Sequence, residues 1–175
     1  VAGVFNPTRS QQVQLANEVQ LLREADDYLL GYPNAFPPPS GYPALPGEGN
    51  VPLEIPGQIH LAQGWVLHLD IQACAAFSGA DDWTAWFQME DPSDLVLDHA
   101  STAERMQPVG MNGQHQKLSD VFINAGIPRR ARALYPVVRQ GEQILWIPGV
   151  RRSIHLLVTD PEQPCLRIRV VREAA

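Results

Sequence analysis

The density of proline between residues 33 and 56 constrains the fold of this chain more than any other feature of its sequence. Eight of the 16 prolines lie in this stretch, and three of them are consecutive at positions 37–39. Because proline fixes φ and lacks an amide hydrogen, the stretch cannot continue a helix or pair as a central strand. We therefore predict a linker over residues 33–50 that separates an N-terminal segment, residues 1–32, from a larger domain, residues 51–175.

The N-terminal segment carries apolar side chains at helical spacing, namely Leu15, Val19, Leu22 and Leu29. Thr8 or Ser10 can cap the first turn, and Gly31 followed by Pro33 is typical of the end of a helix. We therefore predict a helix within residues 1–32. It must pack against another part of the protein, because one helix cannot bury its own apolar stripe.

From residue 51 onward the pattern changes to short strands. Apolar side chains alternate with polar ones, as in a strand with one buried face, at Leu67, Leu69, Ile71 and Ala73. Further strand candidates are residues 84–87, 94–97, 136–138, 144–147, 154–158 and 166–170. Residues 118–125 and the turn after Pro128 have helical patterns instead. This irregular mixture predicts an α+β fold, an N-terminal helix followed by a domain of strands and short helices.

The residue inventory excludes several classes of function. No stretch approaches the ~20 apolar residues of a membrane span. The phosphate loop GxxxxGK[ST], the nucleophile elbow GxSxG and the zinc helix HExxH are missing, and the five histidines lack ligand spacing. Cys74 and Cys165 lie far apart and form no CxxC pair, which suits a reducing cytoplasm and argues against a disulfide scaffold or a zinc site. We predict a cytoplasmic chain without catalytic residues, metal or bound cofactor.

Charge is distributed unevenly along the chain. Residues 1–104 contain two basic and 14 acidic side chains, whereas residues 105–175 contain 11 basic and five acidic ones. The net charge of −6 argues against a polyanionic partner for the whole chain. The excess of positive charge after residue 104 nevertheless favours such a partner for that part.

Several motifs follow one another in this basic part. They are RMQPVGM at 105–111, QKLSDVFI at 116–123, IPRRAR at 127–132, YPVV at 135–138 and ILWIPGVR at 144–151. Their order and spacing resemble the C-terminal part of the tRNA(Ile)-lysidine synthetase (TilS/MesJ) family. Upstream, VPLEIPG at 51–57 and GWVL at 64–67 resemble the start of the same region. The resemblance covers about residues 45–172 and implies the TilS-type C-terminal domain, which is related to one in the β subunit of phenylalanyl-tRNA synthetase.

In that family, catalysis resides in an N-terminal PP-loop domain with an SGGxDS motif, which this sequence does not contain. The resemblance therefore implies a C-terminal portion that grips tRNA(Ile), is inactive in isolation, and continues from a preceding helical part. The parent enzyme would use ATP, with Mg²⁺, to attach L-lysine to the wobble cytidine of tRNA(Ile) with a CAU anticodon. Such a division is physically reasonable, because phosphate contacts position a nucleic acid without chemistry of their own.

The resemblance and the charge pattern together give the candidate tRNA contacts Arg105, Lys117, Arg129, Arg130, Arg132 and Arg151. Too few acids follow residue 104 to pair most of these cations locally. The alternative for the cluster at 129–132 is a solvated face that only keeps the domain soluble. The chain departs from the family pattern where Gln116 replaces a lysine, Ala133 replaces an aspartate, and residues 98–104 replace a basic run.

A second hypothesis belongs to a different class. The chain would be a protein-interaction or dimerisation module, such as a homodimer, that shares the fold without contacting RNA. The acidic first half and the replaced lysine would permit this function. Trp65 and Trp146 fit either hypothesis, because both lie in apolar runs and are predicted to be core residues rather than base-stacking platforms.

Overall fold

A computed structural model describes residues 12–24, 27–32, 35–36, 39, 41–74, 81–88, 91–92 and 94–173. The chain divides into two compact units, Val1–Pro37 and Pro38–Ala175. The strands are β1 Gln12–Gln14, β2 Gln20–Glu24, β3 Asp27–Gly31, β4 Val51–Pro52, β5 Gly57–His60, β6 Trp65–Ala73, β7 Thr84–Phe87, β8 Leu95–His99, β9 Arg105–Met106, β10 Gln116–Lys117, β11 Pro136–Gln140, β12 Gln143–Ile147, β13 Arg151–Arg152 and β14 Pro164–Arg172. The α-helices are α1 Leu118–Asn124 and α2 Arg129–Arg132.

The first unit contains an antiparallel sheet of order β1-β2-β3, so the helix predicted within residues 1–32 is wrong for its described part. Leu22 and Leu29 are cross-strand partners in this sheet rather than neighbours on a helix. Asn17 interrupts the helical pattern, because its φ of 58° lies in the left-handed region that asparagine tolerates. The predicted caps, Thr8 and Ser10, lie outside the described residues.

In the second unit, a five-stranded sheet of order β13-β12-β11-β8-β4 packs against a four-stranded sheet of order β5-β6-β14-β7. The shared core takes side chains from both sheets, among them Leu67, Leu97, Val138, Leu145, Leu166 and Ile168. The alternation predicted along β6 holds for Leu67 and Leu69, whereas Ile71 is 51% exposed. Trp65 and Trp146 belong to this core, as the sequence predicts.

The two helices cover the other face of the five-stranded sheet. Leu118 and Phe122 of α1 pack with Val137 and Ile147 of the sheet in a second apolar cluster. Tyr135 belongs to the same cluster; its hydroxyl donates to the carbonyl of Pro148 at 2.8 Å, and burial raises its pKa. The described residues are thus mostly strand with two short α-helices. Strands and short helices occur together in the second unit, as predicted, but the share of helix is smaller than an α+β fold implies.

Both helices are short. Within the described ranges, α1 is the longer helix at seven residues, and no helix has the length and apolar character needed to cross a membrane.

Part of the predicted proline-rich linker is buried. Leu45 is 1% exposed and belongs to the core between the two sheets, and Ala44 is 3% exposed. The amide of Leu45 donates to the carbonyl of Leu134 at 2.9 Å, and the amide of Ala62 donates to the carbonyl of Ala44 at 2.8 Å. The prolines prevent a regular strand ladder. The non-proline residues that lie between them still form single backbone hydrogen bonds, and these fix the segment. The domain boundaries remain a prediction.

Cys74 and Cys165 form a disulfide, contrary to the expectation from their spacing. β6 and β14 pair antiparallel along nine residues, with Cys165 opposite Gln72, so Cys74 lies beside Cys165 although 91 residues separate them. The distance between their Cα atoms is 5.2 Å, and both side chains are buried. Only long-range strand pairing brings them together, and spacing along the chain does not reveal it.

The buried part of the proline-rich segment should contribute to stability. We expect Leu45→Ala to lower the free energy of unfolding by about 2 to 5 kcal/mol, because it leaves a cavity between the sheets. Leu157→Ala is the matched control; since Leu157 is 38% exposed, its cost should be about 1 kcal/mol or less. Urea unfolding of both variants measures the difference. Equal effects would show that Leu45 does not pack as described.

The disulfide should stabilise the second unit by closing a long loop. We expect reductant to lower the free energy of unfolding by about 2 to 4 kcal/mol. The variant Cys74→Ala/Cys165→Ala should no longer respond to reductant. Urea unfolding with and without dithiothreitol measures the effect. Two free thiols in the denatured but unreduced protein would contradict the pairing.

Candidate nucleic-acid interface

Two of the predicted contacts, Arg105 and Lys117, lie directly opposite each other in a short ladder. β9 and β10 pair antiparallel, with Lys117 in register with Arg105 and Gln116 in register with Met106. Met106 is buried and anchors this ladder to the core. Both cations are exposed, and within the described part of the chain neither forms an ion pair with a carboxylate. Because cross-strand partners share one face, two positive charges project together.

The three arginines of α2 are not equivalent. Arg129 is exposed, Arg130 is half-buried, and Ala131 between them and Arg132 is 2% exposed and packs into the core. Arg132 turns towards the protein, where its Nε and Nη2 donate to the carbonyl of Ile127 at 2.9 and 2.8 Å. Two nitrogens of this guanidinium therefore close the loop between α1 and α2. Arg129 is the member of the cluster best placed to meet an external phosphate.

Arg151 lies on β13, where it is exposed and its Nη2 donates to the carbonyl of Val109 at 3.3 Å. The adjacent Arg152 is half-buried, and its guanidinium carbon lies 4.8 Å from the centroid of the Phe87 ring. Burial lowers the pKa of Arg152 to about 10, so it remains charged at neutral pH. Both arginines line a cleft of about 80 Å³ together with Asp81 and Asp82. These carboxylates weaken the attraction of Arg151 for a polyanion.

Two acidic residues of the segment 98–104 neutralise a buried arginine. Arg139 on β11 is 7% exposed, and its Nε lies 3.0 Å from Oδ2 of Asp98. Its Nη2 donates to Oε1 and Oε2 of Glu104 at 2.8 and 2.7 Å. These three residues and Arg105 line a surface cleft of about 440 Å³. Asp98 and Glu104 are therefore less effective in repelling RNA than their formal charges indicate.

The six predicted residues thus fall into three local groups, the β9–β10 pair, the α2 turn and β13. Sequence reasoning missed Arg139, although an arginine that directly follows the apolar residues 136–138 of β11 indicates a nearby carboxylate and so carried a signal. It also missed Arg152, for which the sequence offered no signal beyond its neighbour Arg151. The role of the six residues in binding tRNA remains a prediction.

Comparison with known proteins matches residues 95–170 to the family described as the TilS substrate C-terminal domain. The tRNA(Ile)-lysidine synthase of Geobacter sulfurreducens is 30% identical over 87 residues, which are 49% of this chain and 18% of that protein. The tRNA(Ile)-lysidine synthase of Clostridium acetobutylicum is 33% identical over 79 residues, 45% of this chain and 17% of that protein. The chain therefore matches less than a fifth of the length of these relatives.

A solved structure shares the fold. The crystal structure of a TilS C-terminal domain superposes with a TM-score of 0.59 at 22% identity and covers 73% of this chain and 100% of that chain. The family match covers the β9–β10 pair, α1, α2 and the β11–β12 hairpin. The shared fold covers a larger part of the chain than this match. Family, relatives and fold agree with the motifs at 105–151. Residues 95–170 of this chain match the TilS substrate C-terminal domain family, and the chain shares the fold of a TilS C-terminal domain.

Proposed function

We propose that the chain is the tRNA-contacting C-terminal portion of a cytoplasmic tRNA(Ile)-lysidine synthetase, a location that rests on the family and no longer on the cysteines, since these form a disulfide. The observation that carries this proposal is the projection of Arg105 and Lys117 from one ladder, without ion pairs in the described residues. Cations that lack a carboxylate partner attract phosphate, and they do so independently of base sequence. Arg129, which is exposed on α2, provides a further cation for phosphate contact.

The chemistry of the parent enzyme would reside outside this chain. In this proposal, ATP, with Mg²⁺, and L-lysine bind to a PP-loop domain, which attaches lysine to the wobble cytidine of tRNA(Ile). The present chain would hold the tRNA and would be inactive alone, because its sequence contains no SGGxDS motif. The comparisons do not favour the alternative of an interaction module without RNA contact. Homodimerisation remains a prediction.

The salt dependence of tRNA binding tests the interface. We expect the chain to bind labelled tRNA weakly at low salt, because its acidic residues oppose a polyanion. The variant Arg105→Gln/Lys117→Gln should bind more weakly, and the slope of log K against log salt should fall by about 0.9 for each lost phosphate contact. Arg129→Gln should act in the same direction.

The matched control is Arg169→Gln. Arg169 is exposed on β14, on the face of the four-stranded sheet that points away from the core, so both sheets separate it from α1 and α2. Its loss should change binding little. If Arg169→Gln weakens binding as much as the double variant, binding is non-specific attraction, and the proposed interface is wrong.

Arg132 should behave differently from Arg129. Arg132→Gln removes two hydrogen bonds to the carbonyl of Ile127, and we expect a loss of about 1 to 3 kcal/mol in the free energy of unfolding. Arg129→Gln should change stability by about 0.5 kcal/mol or less, because its side chain is exposed. Thermal unfolding of both variants measures the contrast. Equal stabilities would mean that Arg132 is as available to tRNA as Arg129.

A further inference from the structure

The β9–β10 ladder holds two like charges opposite each other. Like charges at directly opposed positions destabilise a strand pair, and this ladder has only two residue pairs. Something other than the cations must therefore keep Arg105 and Lys117 side by side. Arg105 lies between two fixed residues of the same chain segment. Met106, which follows it, is buried in the core, and Glu104 directly precedes it.

Glu104 is fixed by both its backbone and its side chain. Its carbonyl accepts from the amide of Leu118 at 2.9 Å, which ties the residue before Arg105 to the residue after Lys117. Its amide donates to the carbonyl of Ser101 at 3.1 Å, and its Oε2 accepts from the amide of Ser101 at 3.2 Å. Glu104 therefore closes the turn at 101–104 and joins it to the start of α1.

Arg139 holds the carboxylate of Glu104 from the neighbouring sheet. Its guanidinium bridges Glu104 and Asp98, and Asp98 lies on β8, which pairs with β11. Because Arg139 is nearly buried, the two carboxylates cannot be replaced by water without cost. The five-stranded sheet is thus connected to the ladder through one buried cation.

We propose that Arg139, acting through Glu104, is a positioning residue that holds Arg105 and Lys117 together for tRNA phosphates. This inference rests on the proposed function, and it identifies the residue that holds the proposed binding site in place. Arg139 itself does not contact RNA, since Asp98 and Glu104 occupy its guanidinium. The acidic residues at 98–104 are therefore part of the RNA-binding device, although their charge opposes RNA.

Removal of the charge of Glu104 distinguishes two roles of this residue, the positioning of Arg105 and Lys117 and the electrostatic repulsion of RNA. If Glu104 only repels RNA, Glu104→Gln should strengthen tRNA binding, because it removes a negative charge beside Arg105. If Glu104 positions the cations, the same substitution should weaken binding by about fivefold or more. The matched control is Glu142→Gln, an exposed acid that lines the same cleft. It should leave binding unchanged or strengthen it slightly.

A double-mutant cycle shows whether the effect passes through the two cations. Glu104→Gln should weaken binding in the otherwise unchanged chain and have less than about twofold effect in the Arg105→Gln/Lys117→Gln background. Equal effects in both backgrounds, or stronger binding by Glu104→Gln, would overturn the inference. Circular dichroism checks folding. If Glu104→Gln unfolds the chain, Arg139→Lys, which keeps the charge but loses the two-acid bridge, replaces it in the cycle with the same expected outcomes.

The proposed function fails separately from the inference. Failure of the unchanged chain to bind tRNA, or full binding by Arg105→Gln/Lys117→Gln, would overturn the proposed function and this inference with it. Binding that depends on the two cations but not on Glu104 or Arg139 would overturn the inference alone.

Discussion

The β11–β12 hairpin is buried on both faces, and the arrangement of the second unit depends on this burial. Val138 and Leu145 face the four-stranded sheet, while Val137 and Ile147 face the helices, and all four are fully buried. Each such side chain contributes about 1.5 to 3 kcal/mol relative to exposure. With one face covered by a sheet, the helices and the β9–β10 ladder can lie only on the other. The candidate tRNA contacts on α2 and on that ladder are placed by the same constraint.

Local ion pairs modify what the charge pattern of the sequence indicates. The first 104 residues carry 14 acids, but Asp98 and Glu104 pair with Arg139, and Asp70 pairs with Arg167, whose Nε donates to it at 3.0 Å. Arg139 and Arg167 are likewise removed from the basic surface after residue 104. Compensated charges contribute little to the field at a distance, so both the repulsion and the attraction of a polyanion are smaller than the counts imply.

The sequence could predict what depends on local pattern and could not predict what depends on distant pairing. The buried positions of Leu67 and Leu69 on β6, the core positions of Trp65 and Trp146, and the family motifs at 105–151 were readable. The N-terminal helix was wrong because leucines paired across a hairpin can match helical spacing. Strand pairing between β6 and β14 joins Cys74 to Cys165, and no pattern within either strand indicates it. The six site residues remain a prediction; within α2, Arg132 donates to the carbonyl of Ile127, whereas Arg129 is exposed.

Under the proposed function, the uneven distribution of charge suits a domain that orients tRNA more than one that binds it tightly. Phosphate contacts carry no base information, so cations such as Arg105 and Lys117 fix where the backbone of a nucleic acid lies. Acids elsewhere on the same unit, including Asp81 and Asp82 beside Arg151, disfavour other approaches. Opposed attraction and repulsion select an orientation while keeping total affinity low. In the proposed function, such a balance lets a few well-placed contacts define the position of tRNA without prolonging the complex.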